Sequence, residues 1–183
     1  MATTAAPHGA RPVSTTSASG SFNGKVQHLS IASEYGTTIF NGDFVKMVSG
    51  GTIEKDTGTA TLTTVGIFMG CKYTDPTTKQ MTFSQFWPAS TVATDAFAYV
   101  LSDPDVVFLM QADGAIAQTA LGSNFDVIQT AGTTSIGNSK NAVDADSTAT
   151  TNTLPLRIYD FYNGPDSTIG DAFTDALFIF NVG

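Results

Sequence analysis

The chain has 183 residues, of which 42% are apolar and only 13% charged, and it carries a net charge of −8. Its eight Lys and Arg residues are scattered singly, so no basic stripe exists to neutralise phosphates, which argues against direct nucleic-acid binding. A single cysteine, Cys71, excludes an intramolecular disulfide and any Cys-based metal centre.

Residues 1–24 hold almost no large apolar groups apart from Val13 and Phe22. Such a stretch cannot bury enough surface to offset its ordering entropy, so it is expected to be a flexible N-terminal arm. It has no apolar leader segment, and no run in the chain approaches the ~20 apolar residues that span a bilayer. These features point to a protein made in a reducing cytoplasm, with no membrane partner.

From Lys25 onward short β-like runs alternate with turn residues, and 25–183 reads as one β-rich domain. Thr37–Phe40 and Asp43–Val48 flank Asn41-Gly42, a pair suited to a two-residue hairpin turn. Gly50-Gly51 then turns the chain into Thr52–Lys55. Val65–Tyr73 is the clearest strand, since Val65, Ile67, Met69, Cys71 and Tyr73 share one parity. Ala60 and Leu62 fall on the other parity, which a bulge near Thr63–Thr64 would reconcile. Gly66 and Gly70 suggest close approach of another strand or a sharp bend. Met81, Phe83 and Trp87 mark an aromatic-rich segment. Phe97–Leu101 and Val106–Met110 form strands around Asp103-Pro104-Asp105, the second apolar on both faces. Residues 130–153 read as a long polar connection with one helical turn around Ser139–Ala145. Leu154–Tyr162 and Ala176–Val182 close a mainly β fold, an antiparallel barrel or sandwich with little helix.

The residues that carry chemistry are few. His8 falls in the arm and His28 at the start of the first strand, with no Gly-x-Ser-x-Gly elbow beside it. The run from Gly20 to Lys25 is one residue short of a phosphate loop, and Val26 stands where a magnesium-ligating Ser or Thr is required. Asp103/Asp105 and Asp144/Asp146 lack a calcium-loop pattern. Cys71 shares its parity with core positions and reads as an inert thiol. No catalytic residue, metal site or cofactor is expected, and the chain is not expected to be an enzyme. Exposed aromatics could instead make contacts, with Tyr73, Trp87 and Tyr162 as the candidates, although Phe83 and Phe86 beside Trp87 favour core or interface packing for it.

The run GIFMGCKYTDPTTKQMTFSQFWPAS from Gly66, followed by AYVLSDPDVVFLMQADGAIAQTALGSNFD from Ala98, resembles structural proteins of marine tailed phages. Leu154-Pro155-Leu156-Arg157-Ile158 is similar to the same group, and the likeness covers roughly residues 36–162 in order and spacing. Asn41-Gly42-Asp43-Phe44-Val45 resembles a hairpin of small capsid decoration (cement) proteins. The resemblance implies a homotrimer on the outer capsid surface of the virion. Its arm, through Arg11, Pro12, Val13 and Phe22, would reach onto the major capsid protein. The alternative within the virion is a head fibre base or a host-surface, glycan-binding protein.

Overall fold

The computed structural model describes residues 4–17 and 24–181. In chain order the strands among them are β1 (Arg11–Thr15), β2 (Val26–Ser30), β3 (Phe44–Met47) and β4 (Ile53–Lys55). Then come β5 (Thr64–Thr74), β6 (Met81–Ser84), β7 (Phe97–Leu101) and β8 (Val106–Gln111). The last four are β9 (Asn124–Ile128), β10 (Ala142–Ala149), β11 (Leu156–Phe161) and β12 (Asp175–Phe180). One 3-10 turn, Gln118–Ala120, is the helical element of the described residues.

The fold is mainly β and sandwich-like rather than a closed barrel. One sheet runs β1-β8-β12-β11-β9-β10; the other runs β2-β7-β5-β3-β4, with β6 pairing the far part of β5. Every strand pairing is antiparallel.

The alternation within the second sheet explains how it is buried on both faces. Phe44, Ile67 and Leu101 point into the core shared with the first sheet, among Phe108, Phe125 and Phe178. Their neighbours Val45, Phe68 and Val100 point the other way, into a second core with Trp87, Ile39 and Ile31. That second core is roofed by the irregular segments around residues 31–40 and 87–96 rather than by a third sheet. In the first sheet β8 is also buried on both parities, with Val106, Val107, Phe108 and Met110 all inaccessible, and such strands read as near-continuous apolar runs.

Several expectations meet the structure directly. β5 is the long strand foreseen at Val65–Tyr73, and its ladder to β3 shifts register where Gly66 and Thr64 oppose Val45 and Lys46. Gly66 allows the close approach anticipated there: a Cβ on it would lie 2.2 Å from the Leu101 carbonyl oxygen. Asn41 and Gly42 do form a tight turn, Asp43 N–H donating to the Phe40 carbonyl at 3.0 Å. Its flanks are not a hairpin, because Ile39 exchanges backbone bonds with Trp87 instead. The hairpin lies one turn later, where Gly50-Gly51 joins β3 to β4. The helical turn expected around Ser139–Ala145 is corrected: Ala142–Ala149 is strand β10 on the sheet edge.

The N-terminal residues also differ from the expected picture of a flexible arm detached from a domain starting at Lys25. Arg11–Thr15 pairs with β8 as an edge strand. Main-chain hydrogen bonding needs no apolar side chains, so composition did not reveal it. The preceding residues are tied in as well. Gly9 N–H donates to Asn141 O at 3.1 Å, Ala10 N–H to Gly42 O at 2.9 Å, and Ala6 N–H to Gln111 Oε1 at 2.6 Å. Gly9 is at φ +72°, and a Cβ there would lie 2.5 Å from the Ser139 Cβ, so the anchor depends on glycine.

His8 sits within this anchor, its Nδ1 hydrogen-bonded to the Gly9 carbonyl at 3.0 Å. Burial, and then the Arg11 guanidinium, hold its pKa below the ordinary 6.5; the Gly9 carbonyl and Asp175 oppose them. A base whose pKa is lowered by folding resists protonation in the folded state. The anchor is therefore at full strength above pH 6.5 and weakens as pH falls through the lowered pKa. Amide exchange of residues 9–15 should accelerate between pH 7 and pH 5 relative to β12, after correction for intrinsic rates. Equal protection of the two strands at both pH values would show that His8 does not govern the anchor.

Candidate interaction surface

The core-facing side of the second sheet does not end where the first sheet stops covering it. Past Leu101 and Ile67 the same face of β7 and β5 continues with Tyr99 and Phe97, and with Gly70 and Lys72. Register places Ser30, Phe97, Lys72 and Phe83 in one row across β2, β7, β5 and β6. A second row holds His28, Tyr99 and Gly70. The His28 ring meets Tyr99 edge-on at 4.9 Å, and the Lys72 ammonium stands 5.7 Å from the Phe97 ring centroid. Phe97, Tyr99 and Lys72 are half-buried, whereas Phe83 is 68% and Met81 62% exposed. Both belong to β6, whose second hydrogen-bonding edge is unpaired among the described residues. An exposed apolar side chain on an open strand edge is a feature folded proteins generally suppress.

The residues singled out from sequence are dispersed. Arg11, Pro12 and Val13 lie on β1 at the edge of the other sheet; Arg11 and Val13 are exposed, Pro12 half-buried. Phe22 lies outside the described residues. Tyr73 and Trp87 are corrected from surface aromatics to core. Trp87 is completely buried, packs edge-on against Tyr73 at 5.4 Å and donates its indole N–H to the Tyr35 carbonyl at 3.3 Å. Tyr162 is exposed, with its ring laid against Gly164. The aromatic set available to a glycan is thus reduced to Tyr162 among the three. Phe83 and Met81 were visible in the sequence as an alternating pair in Met81–Ser84, but composition could not separate them from the buried Trp87 nearby.

Cys71, the Asp43–Lys55 pair and Asp103 have structural partners. Burial pushes the Cys71 thiol up to about 12, and its Sγ donates to the Phe86 carbonyl at 3.4 Å; a thiol so shifted is not a nucleophile at neutral pH. Asp43 and Lys55 form a buried ion pair at 3.0 Å, and Asp43 also accepts bonds from Phe40 N–H and Ser139 Oγ. An open pocket of about 250 Å³ lies at one end of the sandwich, lined by Leu62, Val65, Pro104, Pro155 and Phe180. Its one titratable group, Asp103, accepts the Asp105 N–H at 3.0 Å. The face around β6 offers apolar rings, the Lys72 ammonium and an open strand edge. Comparison with family models, with curated proteins and with solved structures finds no match to this chain.

Proposed function

We propose that this chain is a non-enzymatic structural protein of a tailed-phage virion. In this reading it is a decoration protein that binds the outer capsid surface as a homotrimer and bridges major capsid protein subunits. The observation that carries the reading is β6, an open strand edge that displays Met81 and Phe83 beside the Phe97–Lys72 row. An extended segment of a capsid subunit can add to such an edge through main-chain hydrogen bonds, with Phe83 as the side-chain anchor. The sparsely charged, Thr- and Ser-rich composition supports it, since short side chains lose little rotamer freedom when covered. The likeness of the Gly66–Trp87 and Ala98–Asp126 runs to phage structural proteins supports it as well. Arg11 and Val13 on β1 give a second exposed edge, and several weak contacts per trimer combine through multivalency.

The test is binding of purified chain to expanded capsids that lack it. Phe83→Asp should weaken shell binding at least tenfold, because a buried interface aromatic is worth about 2 kcal/mol or more. Its melting temperature should stay close to that of the unaltered chain, as Phe83 is exposed in the free protein. Undiminished binding by Phe83→Asp would remove β6 from the account.

A further inference from the structure

Two side-chain amides meet at the end of the β9–β10 ladder, each with one polar atom left over. The register that sets Val143 against Val127 and Ala142 against Ile128 sets Asn141 against Gln129 as the next pair. Cross-strand partners share a face, with Cβ atoms about 5 Å apart. Val127 and Val143 point into the core, so Gln129 and Asn141 point inward as well. Asn141 is completely buried. A buried amide needs a partner for each donor and acceptor, because an unpaired polar atom in the interior is costly.

The bonds these amides do make fix which way round each one sits. Asn141 Oδ1 accepts the Thr130 N–H at 3.0 Å, which leaves Nδ2 as its free end. Gln129 Nε2 donates to Asp56 O at 3.1 Å and to Gly58 O at 2.9 Å, which leaves Oε1. Turning either amide over would set N–H against N–H or oxygen against oxygen. Asn141 Nδ2 and Gln129 Oε1 are both buried with no hydrogen-bond partner, so they do not bond each other either. One donor and one acceptor therefore remain on adjoining residues of one interior face. The amide N–H repels a metal ion, and the amide oxygen repels an anion. A small neutral group that both accepts and donates satisfies the pair.

We propose that Asn141 and Gln129 hold one structural water molecule, which accepts from Asn141 Nδ2 and donates to Gln129 Oε1. Waters of this kind are built into protein interiors where polar groups would otherwise stay unpaired. Here the water closes a buried polar ring that links the two sheets. Asn141 N–H donates to Ser139 Oγ at 3.1 Å, Ser139 Oγ donates to Asp43 at 2.6 Å, and Asp43 pairs with Lys55 at 3.0 Å. The chain steps from Lys55 to Asp56, whose carbonyl accepts from Gln129, and the water returns the path to Asn141. The Asn141 carbonyl also accepts from Gly9, so the N-terminal anchor is tied to the same ring. The site lies inside the sandwich and stands apart from the capsid reading.

The test is NMR of the isotope-labelled full chain, reading magnetisation transfer from water to the Asn141 side-chain amide. A held water predicts a cross-peak at the Asn141 Nδ2 protons whose NOE and ROE have opposite signs, the mark of a water that tumbles with the protein. Equal signs, the mark of amide exchange or of passing surface water, would overturn the proposal, as would no cross-peak at all. Gln129→Met takes away the acceptor and fills its space, so the cross-peak should be lost in that variant. Its survival there would assign the water to another acceptor and overturn the pairing. A crystal structure of the unaltered chain gives a second reading that needs no variant. An ordered water oxygen should stand about 2.7–3.2 Å from both Asn141 Nδ2 and Gln129 Oε1; a direct bond between the two amides would contradict it.

Discussion

Replacing Asp43 by Ala should destabilise the protein by about 3–5 kcal/mol, lowering the melting temperature by about 10 °C or more. Asp43 is fully buried between the two cores, and Lys55 beside it keeps only 9% of its side chain exposed. Without the carboxylate, the ammonium is left in the interior with nothing to offset its desolvation. The Phe40 N–H and the Ser139 hydroxyl, which now donate to Asp43 at 2.9 and 2.6 Å, lose their acceptor as well. Ser139 in turn accepts the Asn141 N–H, and Asn141 O accepts from Gly9. The damage should therefore spread to the N-terminal anchor. Removing the charge of Lys55 at the same time, with Asp43→Asn/Lys55→Met, should recover a large part of the loss, because a missing pair costs far less than half a pair. Denaturant titration of the two variants measures this; a loss below about 1 kcal/mol for Asp43→Ala would mean that the pair is solvated in solution.

Trp87→Ala should cost a similar 3–5 kcal/mol. Trp87 is the largest side chain of the second core and touches no solvent. It also joins two loops, since its backbone exchanges hydrogen bonds with Ile39 and its indole reaches Tyr35. A core roofed by loops has no rigid layer to settle into the void, so the lost contacts are replaced poorly. Trp87→Phe should retain about half of the stability at risk, and the urea midpoints of the two variants give the ratio. A near-neutral Trp87→Ala would show that the roof over the second sheet is loose, and with it the burial of Tyr73.

How far the sequence could be read depends on where the decisive contacts lie. β5 was legible as a strand from its alternating apolar residues, but not its faces: the bulge between Phe68 and Gly70 flips the phase, so Ile67 faces the core between the sheets while Cys71 and Tyr73, of the same parity, face the second core with Phe68. Gly66 and Gly70 were legible for a related reason: a missing Cβ announces that another backbone comes close, as Leu101 does to Gly66. β10 was not, because Ala142–Ala149 has no large outward side chain and holds its place by main-chain bonds to a distant strand. β1 escaped notice in the same way. For the site, Phe83 and Trp87 belong to one aromatic segment, and only the pairing of Phe83 with Lys72 places one outside and the other in the core. Gln129 and Asn141 face each other only because β10 returns along β9 in register. Reading 130–153 as a connection hid that return.

The proposed role as a capsid decoration protein is tested most directly by copy counting. Purified chain is mixed with expanded capsids lacking it, the particles are sedimented, and bound chain is counted against major capsid protein. A shell-wide cement predicts saturation near one chain per capsid subunit, with binding lost in Phe83→Asp. Saturation at a few copies per particle would instead indicate a vertex, fibre or tail role, and no sedimentation with the shell would contradict the account outright.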